Sequence, residues 1–238
     1  NEIGTVQPIA ELAAIARARG IIFHTDAVQA GGQQPLDVQA LGVDLLSLSA
    51  HKFYGPKGIG VLYVRGGVDL CTSQTGGGQE FSIRAGTQNV ALIVGLAKAL
   101  ELAYADFEAR CAHFACLRDR LIDGVLSHIP GAQLTGHPEN RLCTHASFVF
   151  ADVPGGVLVS ELDRAGICAS SASACKAGSS APSGVLTALG YTRELASASL
   201  RLTVGLHTTD ADIDTAVDTL AGIIDRLRAE QPALVAAY

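Results

Sequence analysis

The chain has 238 residues, 48% of them hydrophobic and 17% charged, which is enough to bury one large core or two smaller ones and far from a disordered composition. A net charge of −6 argues against nucleic acid as the main partner, because a phosphate backbone needs a basic face. No apolar run approaches a membrane span, nothing at the start reads as a signal peptide, and 6 scattered cysteines make no disulfide framework; the expectation is a soluble protein of a reducing cytoplasm.

The chain opens at Asn1 without a methionine, and Asn1-Glu2-Ile3-Gly4-Thr5 runs straight into a helix, a start that reads as the interior of a longer protein. Pro8, then Ile9, Leu12, Ile15 and Ala16, with Gly20 behind them, predict a short helix with a proline start and a glycine stop. Ile21-Ile22-Phe23-His24 reads as a buried strand halted at Thr25-Asp26. A crossover with Val38 and Leu41 inward leads to a second strand, Val43 to Ser49, ending in Ser49-Ala50-His51-Lys52. A third, Ile59 to Val64, follows a turn-rich stretch beginning at Tyr54. Strands alternating with helices imply an α/β sheet, in which ligands collect beyond the carboxyl ends of the strands. Asp26 and Lys52 both fall at such ends.

Gly76-Gly77-Gly78 and Arg84-Ala85-Gly86-Thr87 precede a long helix from about Gln88 to Ala109, with Thr87 placed to cap it. A second helix begins around His113, which sets the domain change: residues 1–110 and 111–238. Cys111, His113 and Cys116 lie in helix without a second ligand pair, so no metal site is expected. Beyond Gln133 the pattern is a smaller α/β domain: a strand at Ala146–Phe150, a helix from Gly156 to Ala165, a strand from Ser199 to Val204, and a last helix from Thr209-Asp210 with Ile213, Val217, Leu220, Ile224 and Leu227 inward. Between them, Ala169 to Gly184 is nearly all Ala, Ser and Gly around Cys175 and Lys176. Cys71, Cys111, Cys116, Cys143 and Cys168 read as small core residues.

Asn1-Glu2-Ile3-Gly4, His24-Thr25-Asp26-Ala27-Val28-Gln29, Ser49-Ala50-His51-Lys52, Gly76-Gly77-Gly78-Gln79-Glu80, Arg84-Ala85-Gly86-Thr87, Ser173-Ala174-Cys175 and Ser199-Leu200-Arg201 stand in the order and near the spacing of one family. Over nearly its whole length the chain resembles the NifS/IscS-type cysteine desulfurases, class-V aminotransferase-like enzymes of pyridoxal-phosphate fold type I. The resemblance implies an α/β fold: the C-terminal part of the large mixed-sheet, cofactor-binding domain, then a small domain carrying the cysteine loop. It also implies that the family's opening third, with a ring-stacking histidine and a Gly/Thr-rich phosphate turn, precedes Asn1.

Each residue then has an implied role. Lys52 would bond covalently to pyridoxal 5'-phosphate, although alone it reads as a solvated lysine like Lys57. Asp26 would pair with the pyridine nitrogen, where a carboxylate favours the protonated, electron-accepting ring. Gln29 and Asn1 would hydrogen-bond the phenolic oxygen, with Asn1 also near substrate. Ser49 and His51 would bind the phosphate, and Thr87 would reach the phosphate of a neighbouring subunit in a homodimer. Arg201 would clamp the α-carboxylate of L-cysteine, for which a planar guanidinium is suited; alone, it is also a fair structural arginine. Cys175 would take the sulfur as a persulfide, with Lys176 favouring its thiolate, and pass it to an iron–sulfur scaffold or a thiolation factor. Ala172 and Lys176 depart from the family's usual glycine and small hydroxyl residue. Two other readings stay open: a selenocysteine lyase or other class-V relative, and a truncated, non-enzymatic subunit.

Overall fold

The computed structural model describes residues 1–171 and 182–235, with side chains to residue 230. The chain divides into two compact units, one of Gln7–Phe107 and one that joins Asn1–Val6 to the residues from Glu108 onward. The backbone therefore passes from one unit to the other after Val6 and back after Phe107.

In the Gln7–Phe107 unit, helix α1 (Ile9–Arg17) starts directly after Pro8, whose missing N–H costs nothing at a helix start. Strand β1 (His24–Asp26) pairs parallel with β2 (Leu45–Ser49), Asp26 opposite Ser47, and β2 pairs antiparallel with β3 (Gly60–Val64). The first strand is shorter than its sequence suggests. Ile21 donates back to the Ala16 carbonyl and, like Ile22, stays 57% exposed, so pairing begins only where Asp44 accepts from the Phe23 N–H and donates to the Phe23 carbonyl. Between the strands lies the short helix α2 (Val38–Leu41), capped by Asp37 and closed by Gly42 in the left-handed conformation. After β3 come a two-stranded hairpin, β4 (Gly78–Gln79) with β5 (Arg84–Ala85), and helix α3 (Val90–Ala105). Ala13 of α1, Val43 before β2, Leu46 and Leu48 of β2, Phe53, and Leu96 of α3 form the core; each large member is worth about 1.5–3 kcal/mol when buried.

The second unit is built on an antiparallel sheet with β7 (His145–Phe150) between β6 (Ala132–Leu134) and β8 (Ser199–Thr203). Every residue of β7 is buried, because helices cover both its faces. Ala146, Phe148 and Phe150 pack on α4 (Phe107–His128), α5 (Gly155–Arg164) and α8 (Asp210–Val235). Val149, on the opposite face, meets Leu186 of α6 (Gly184–Ala188) and Ala196 of α7 (Arg193–Ser197), with Ile3 beside them. Those two short helices come from the Ser/Gly-rich region and its sequel, and Ser183 and Thr192 cap them. In α8 the inward positions are Ile213, Val217, Leu220 and Ile224, as the helical spacing predicts.

Candidate active site

Period-two alternation sorts β1 and β2 into two faces. Thr25, Leu46 and Leu48 face inward, whereas His24 and Asp26 share the other face with Ser47 and Ser49. On that face His24 Nε2 lies 2.8 Å from Ser47 Oγ, and Ser49 Oγ lies 2.9 Å from His51 Nδ1. One oxygen of Asp26 accepts from the Val28 N–H at 3.0 Å, which ties the turn after the strand to its last residue. Asp26 forms no ion pair among the described residues. Gln29 follows in that turn, half-buried.

Directly after Ser49 the chain enters a one-turn 3-10 helix, Ala50–Phe53. Ala50 and Phe53 are sunk in the core, so His51 and Lys52 between them point out. The turn closes on Tyr54 at φ 67° and on Gly55, whose N–H donates to the Ala50 carbonyl at 2.9 Å. A Cβ at residue 55 would lie 2.9 Å from that same carbonyl oxygen, so the sharp exit from the lysine turn requires glycine. Parallel register and this turn thus bring Asp26, Ser49, His51 and Lys52 to the carboxyl ends of neighbouring strands.

Thr87 is not a helix cap. The cap of α3 is Asn89, whose Oδ1 accepts from the Leu92 N–H at 3.2 Å, because the helix starts at Val90 rather than at Gln88. Thr87 lies exposed in the segment between β5 and α3, its carbonyl facing Arg84.

Arg201 and Asn1 lie together in the second unit. Arg201, in β8 opposite Ser147, sends Nη1 to the Asn1 carbonyl at 2.8 Å. Partial burial pushes the guanidinium below its ordinary pKa, and the charge of Glu2 acts in the opposite direction. Glu2 itself is buried and accepts from Ser183 Oγ at 2.5 Å. Cys175, with Ala172, Ser173, Ala174 and Lys176, lies outside the described residues. The described residues that precede this stretch are tied to β8: Ser170 and Arg201 exchange two backbone hydrogen bonds, and Ser199 Oγ donates to the Ser171 carbonyl.

His24, Ser47, Glu2 and Ser183 carry no expected role, although His24 and Glu2 stand inside two of the motifs. The first two have a visible signal, since each stands two residues before an expected site residue on the same strand. For the last two nothing in the sequence signals the pairing, because 181 residues separate the partners. The cysteines also differ from expectation. Only Cys143 of the five is buried; Cys71, Cys116 and Cys168 are exposed, and Cys111 is half-buried beside Cys143.

The family model described as aminotransferase class-V matches residues 1–216. A cysteine desulfurase IscS of Methanosarcina thermophila is 48% identical over 232 residues, covering 98% of this chain and 57% of the relative. Among solved structures, a NifS-like protein superposes with a TM-score of 0.84 at 33% identity, covering 94% of this chain and 58% of its own. A structure titled SspA in complex with cysteine gives a TM-score of 0.67 at 34% identity, covering 85% and 56%. The chain thus spans somewhat under three fifths of the length of the relatives it matches.

Proposed function

The chain belongs to the class-V aminotransferase family, and on that premise we propose that the whole protein is a cysteine desulfurase that uses pyridoxal 5'-phosphate, converts L-cysteine to L-alanine and passes the sulfur on from Cys175. The observation that carries this reading is the placement of Asp26 and Lys52 at the carboxyl ends of adjacent parallel strands, with hydroxyl and imidazole donors between them. The donor set suits such a cofactor: an amine for its aldehyde, a carboxylate with no ion pair among the described residues, and Ser49 and His51 for a phosphate. When bound, the cofactor would supply an aldehyde that condenses with amines and a ring that withdraws electrons from the substrate's α-carbon.

The protein's own groups have separate tasks. Lys52 would hold the cofactor and move protons at the substrate's carbons. Asp26 would favour the protonated pyridine nitrogen, Gln29 and Asn1 would hydrogen-bond the phenolic oxygen, and Ser49 and His51 would bind the phosphate. Arg201 orients the substrate by its α-carboxylate. The Cys175 thiolate attacks the sulfur of L-cysteine: an S–S bond forms as the C–S bond breaks, and the carbon takes up a proton to leave L-alanine. No external oxidant is needed, since enzyme thiol and cysteine become persulfide and alanine. The same reading makes the enzyme a homodimer in which Thr87 serves the neighbouring subunit, in the cytoplasm, with an iron–sulfur scaffold or thiolation factor as acceptor. No helix of the described residues is long and apolar enough to cross a membrane.

The test uses the full-length protein. Lys52→Ala should lose the visible absorbance of covalently held cofactor, and Cys175→Ala should keep it while losing persulfide formation. Undiminished sulfur transfer by Cys175→Ala, or an unchanged spectrum in Lys52→Ala, refutes the assignment. A strong preference for selenocysteine over cysteine would move the reading to a selenocysteine lyase.

A further inference from the structure

Glu2 is a buried carboxylate, 8% exposed, in a segment that carries Asn1 to Arg201. Burying an ionised carboxylate is costly unless it is hydrogen-bonded or set near a cation, and Glu2 has both. Ser183 Oγ donates to its Oε2 at 2.5 Å, and the same hydroxyl accepts from the Leu186 N–H, so the donor is locked at the start of α6. Arg201 lies close enough to feel the charge, yet the two form no ion pair among the described residues. Glu2, Ser147, Ser199 and Arg201 line one narrow cavity. The backbone on the other side is pinned as well: the Gly4 carbonyl accepts from Leu142, and Thr5 bridges to Arg141.

This arrangement fixes one atom above all, the Asn1 carbonyl, which receives Arg201 Nη1 at 2.8 Å. That is the one side-chain hydrogen bond of Arg201 among the described residues, and it leaves Nη2 and Nε for a ligand's carboxylate. Direct pairing with Glu2 would have occupied those groups. Held back by Ser183, the glutamate neither competes for them nor leaves the half-buried cation without a counter-charge.

We propose that Glu2 is a positioning residue for substrate recognition: anchored by Ser183, it holds the Asn1 carbonyl against Arg201 and so aims the guanidinium at the substrate's α-carboxylate. The inference rests on the role given above to Arg201 and adds a residue to which no step of the reaction assigns work.

The experiment measures binding rather than turnover, by calorimetry on the full-length holoprotein. Two probes separate the parts of the substrate: 3-mercaptopropionate has the thiol and carboxylate without the amine, and cysteamine has the thiol and amine without the carboxylate. Glu2→Ala should weaken 3-mercaptopropionate by about tenfold, the scale of one lost charge-assisted contact, and leave cysteamine within about twofold. Glu2→Gln, which keeps an acceptor for Ser183, should fall between wild type and Glu2→Ala. Ser183→Ala should weaken the carboxylate probe too, and stands in if Glu2→Ala does not fold. Equal weakening of both probes, or no change in either, overturns the proposal. Arg201→Ala is the control: if it does not weaken 3-mercaptopropionate, the clamp itself fails and the inference with it. Loss in Arg201→Ala with no effect of Glu2→Ala sinks the role of Glu2 alone.

Discussion

Cys143 should be nearly inert to alkylation in the native protein, although Cys71, Cys116 and Cys168 are open to reagent. Its thiol is 7% exposed, and burial, with Cys111 adding to it, pushes its pKa up to about 12. The thiolate is the reacting species, so its population sets the rate. At pH 8 a thiol of pKa about 12 is ionised in roughly one molecule in 10⁴, against roughly a quarter for an ordinary thiol of pKa about 8.5. The rates should therefore differ on the order of 10³-fold before steric exclusion is counted. Between pH 8 and 9, labelling of Cys143 should rise about tenfold while that of an exposed thiol rises about threefold. Iodoacetamide pulses read by peptide mass spectrometry give both quantities. Since the folded pKa is raised, the stability it contributes is complete below about pH 8.5 and is lost as pH climbs toward about 12. Cys111→Ser should leave Cys143 protected, because burial is the larger cause. Native-state labelling of Cys143 within tenfold of Cys116 would refute the reasoning.

Asp44→Ala should free the start of the parallel pair, since Asp44 accepts from the Phe23 N–H at 2.7 Å and pairs with Arg65; a cost of about 2 kcal/mol corresponds to roughly 30-fold faster hydrogen exchange at the β1 and β2 amides. Exchange within twofold of wild type would remove Asp44 from that role. Gly155→Ala should destabilise by about 3 kcal/mol, because the new Cβ would lie 2.1 Å from the Ser199 carbonyl oxygen, whereas Gly156→Ala meets nothing within 4 Å and should be neutral or stabilising by about 0.5 kcal/mol. Urea midpoints of the pair check this, and equal shifts would contradict it. Thr209→Ala should let the Asp212 carboxyl rise back toward its ordinary range, since the side-chain hydrogen bond from Thr209 is the largest cause holding it down. The stability that bond gives is present above the unfolded carboxylate range and lost as pH falls through the depressed native pKa; carbon-13 titration of Asp212 reports the change.

Much of the fold could be read from the chain because its signals are local. The proline start of α1, the inward stripe of α8 and the strand carrying Arg201 are all set by period and polarity within a few residues. Errors arose where the deciding partner is distant or where two neighbours bid for one role. Ile21 and Ile22 have strand composition, but the backbone bond of Ile21 back to Ala16 and the late pairing at Phe23 keep both out of the sheet. Thr87 and Asn89 are both good caps, and the apolar run that starts at Val90 selects the residue immediately before it. Helices α6 and α7 are only five residues each, too short to show a period; their caps, Ser183 and Thr192, are the only local sign. Cys175 was legible by motif alone, and nothing in the described residues bears on it.

The motif Asn1-Glu2-Ile3-Gly4 shows why motif order and spatial role differ. In sequence it precedes the strands of Asp26 and Lys52. In the fold it packs in the unit of Arg201, and the reasons are specific to each residue. Glu2 answers Ser183, Ile3 sits against the Val149, Leu186 and Ala196 cluster, and Gly4 at φ 81° passes so close to His145 that a Cβ would lie 2.7 Å from that side chain's own Cβ. Three of the four residues are thus fixed by packing and hydrogen bonding in one unit, and together they determine where the Asn1 carbonyl stands. Since that carbonyl holds Arg201, a substitution at Gly4 that disturbs the strip should show in carboxylate recognition before it shows in the groups around Lys52.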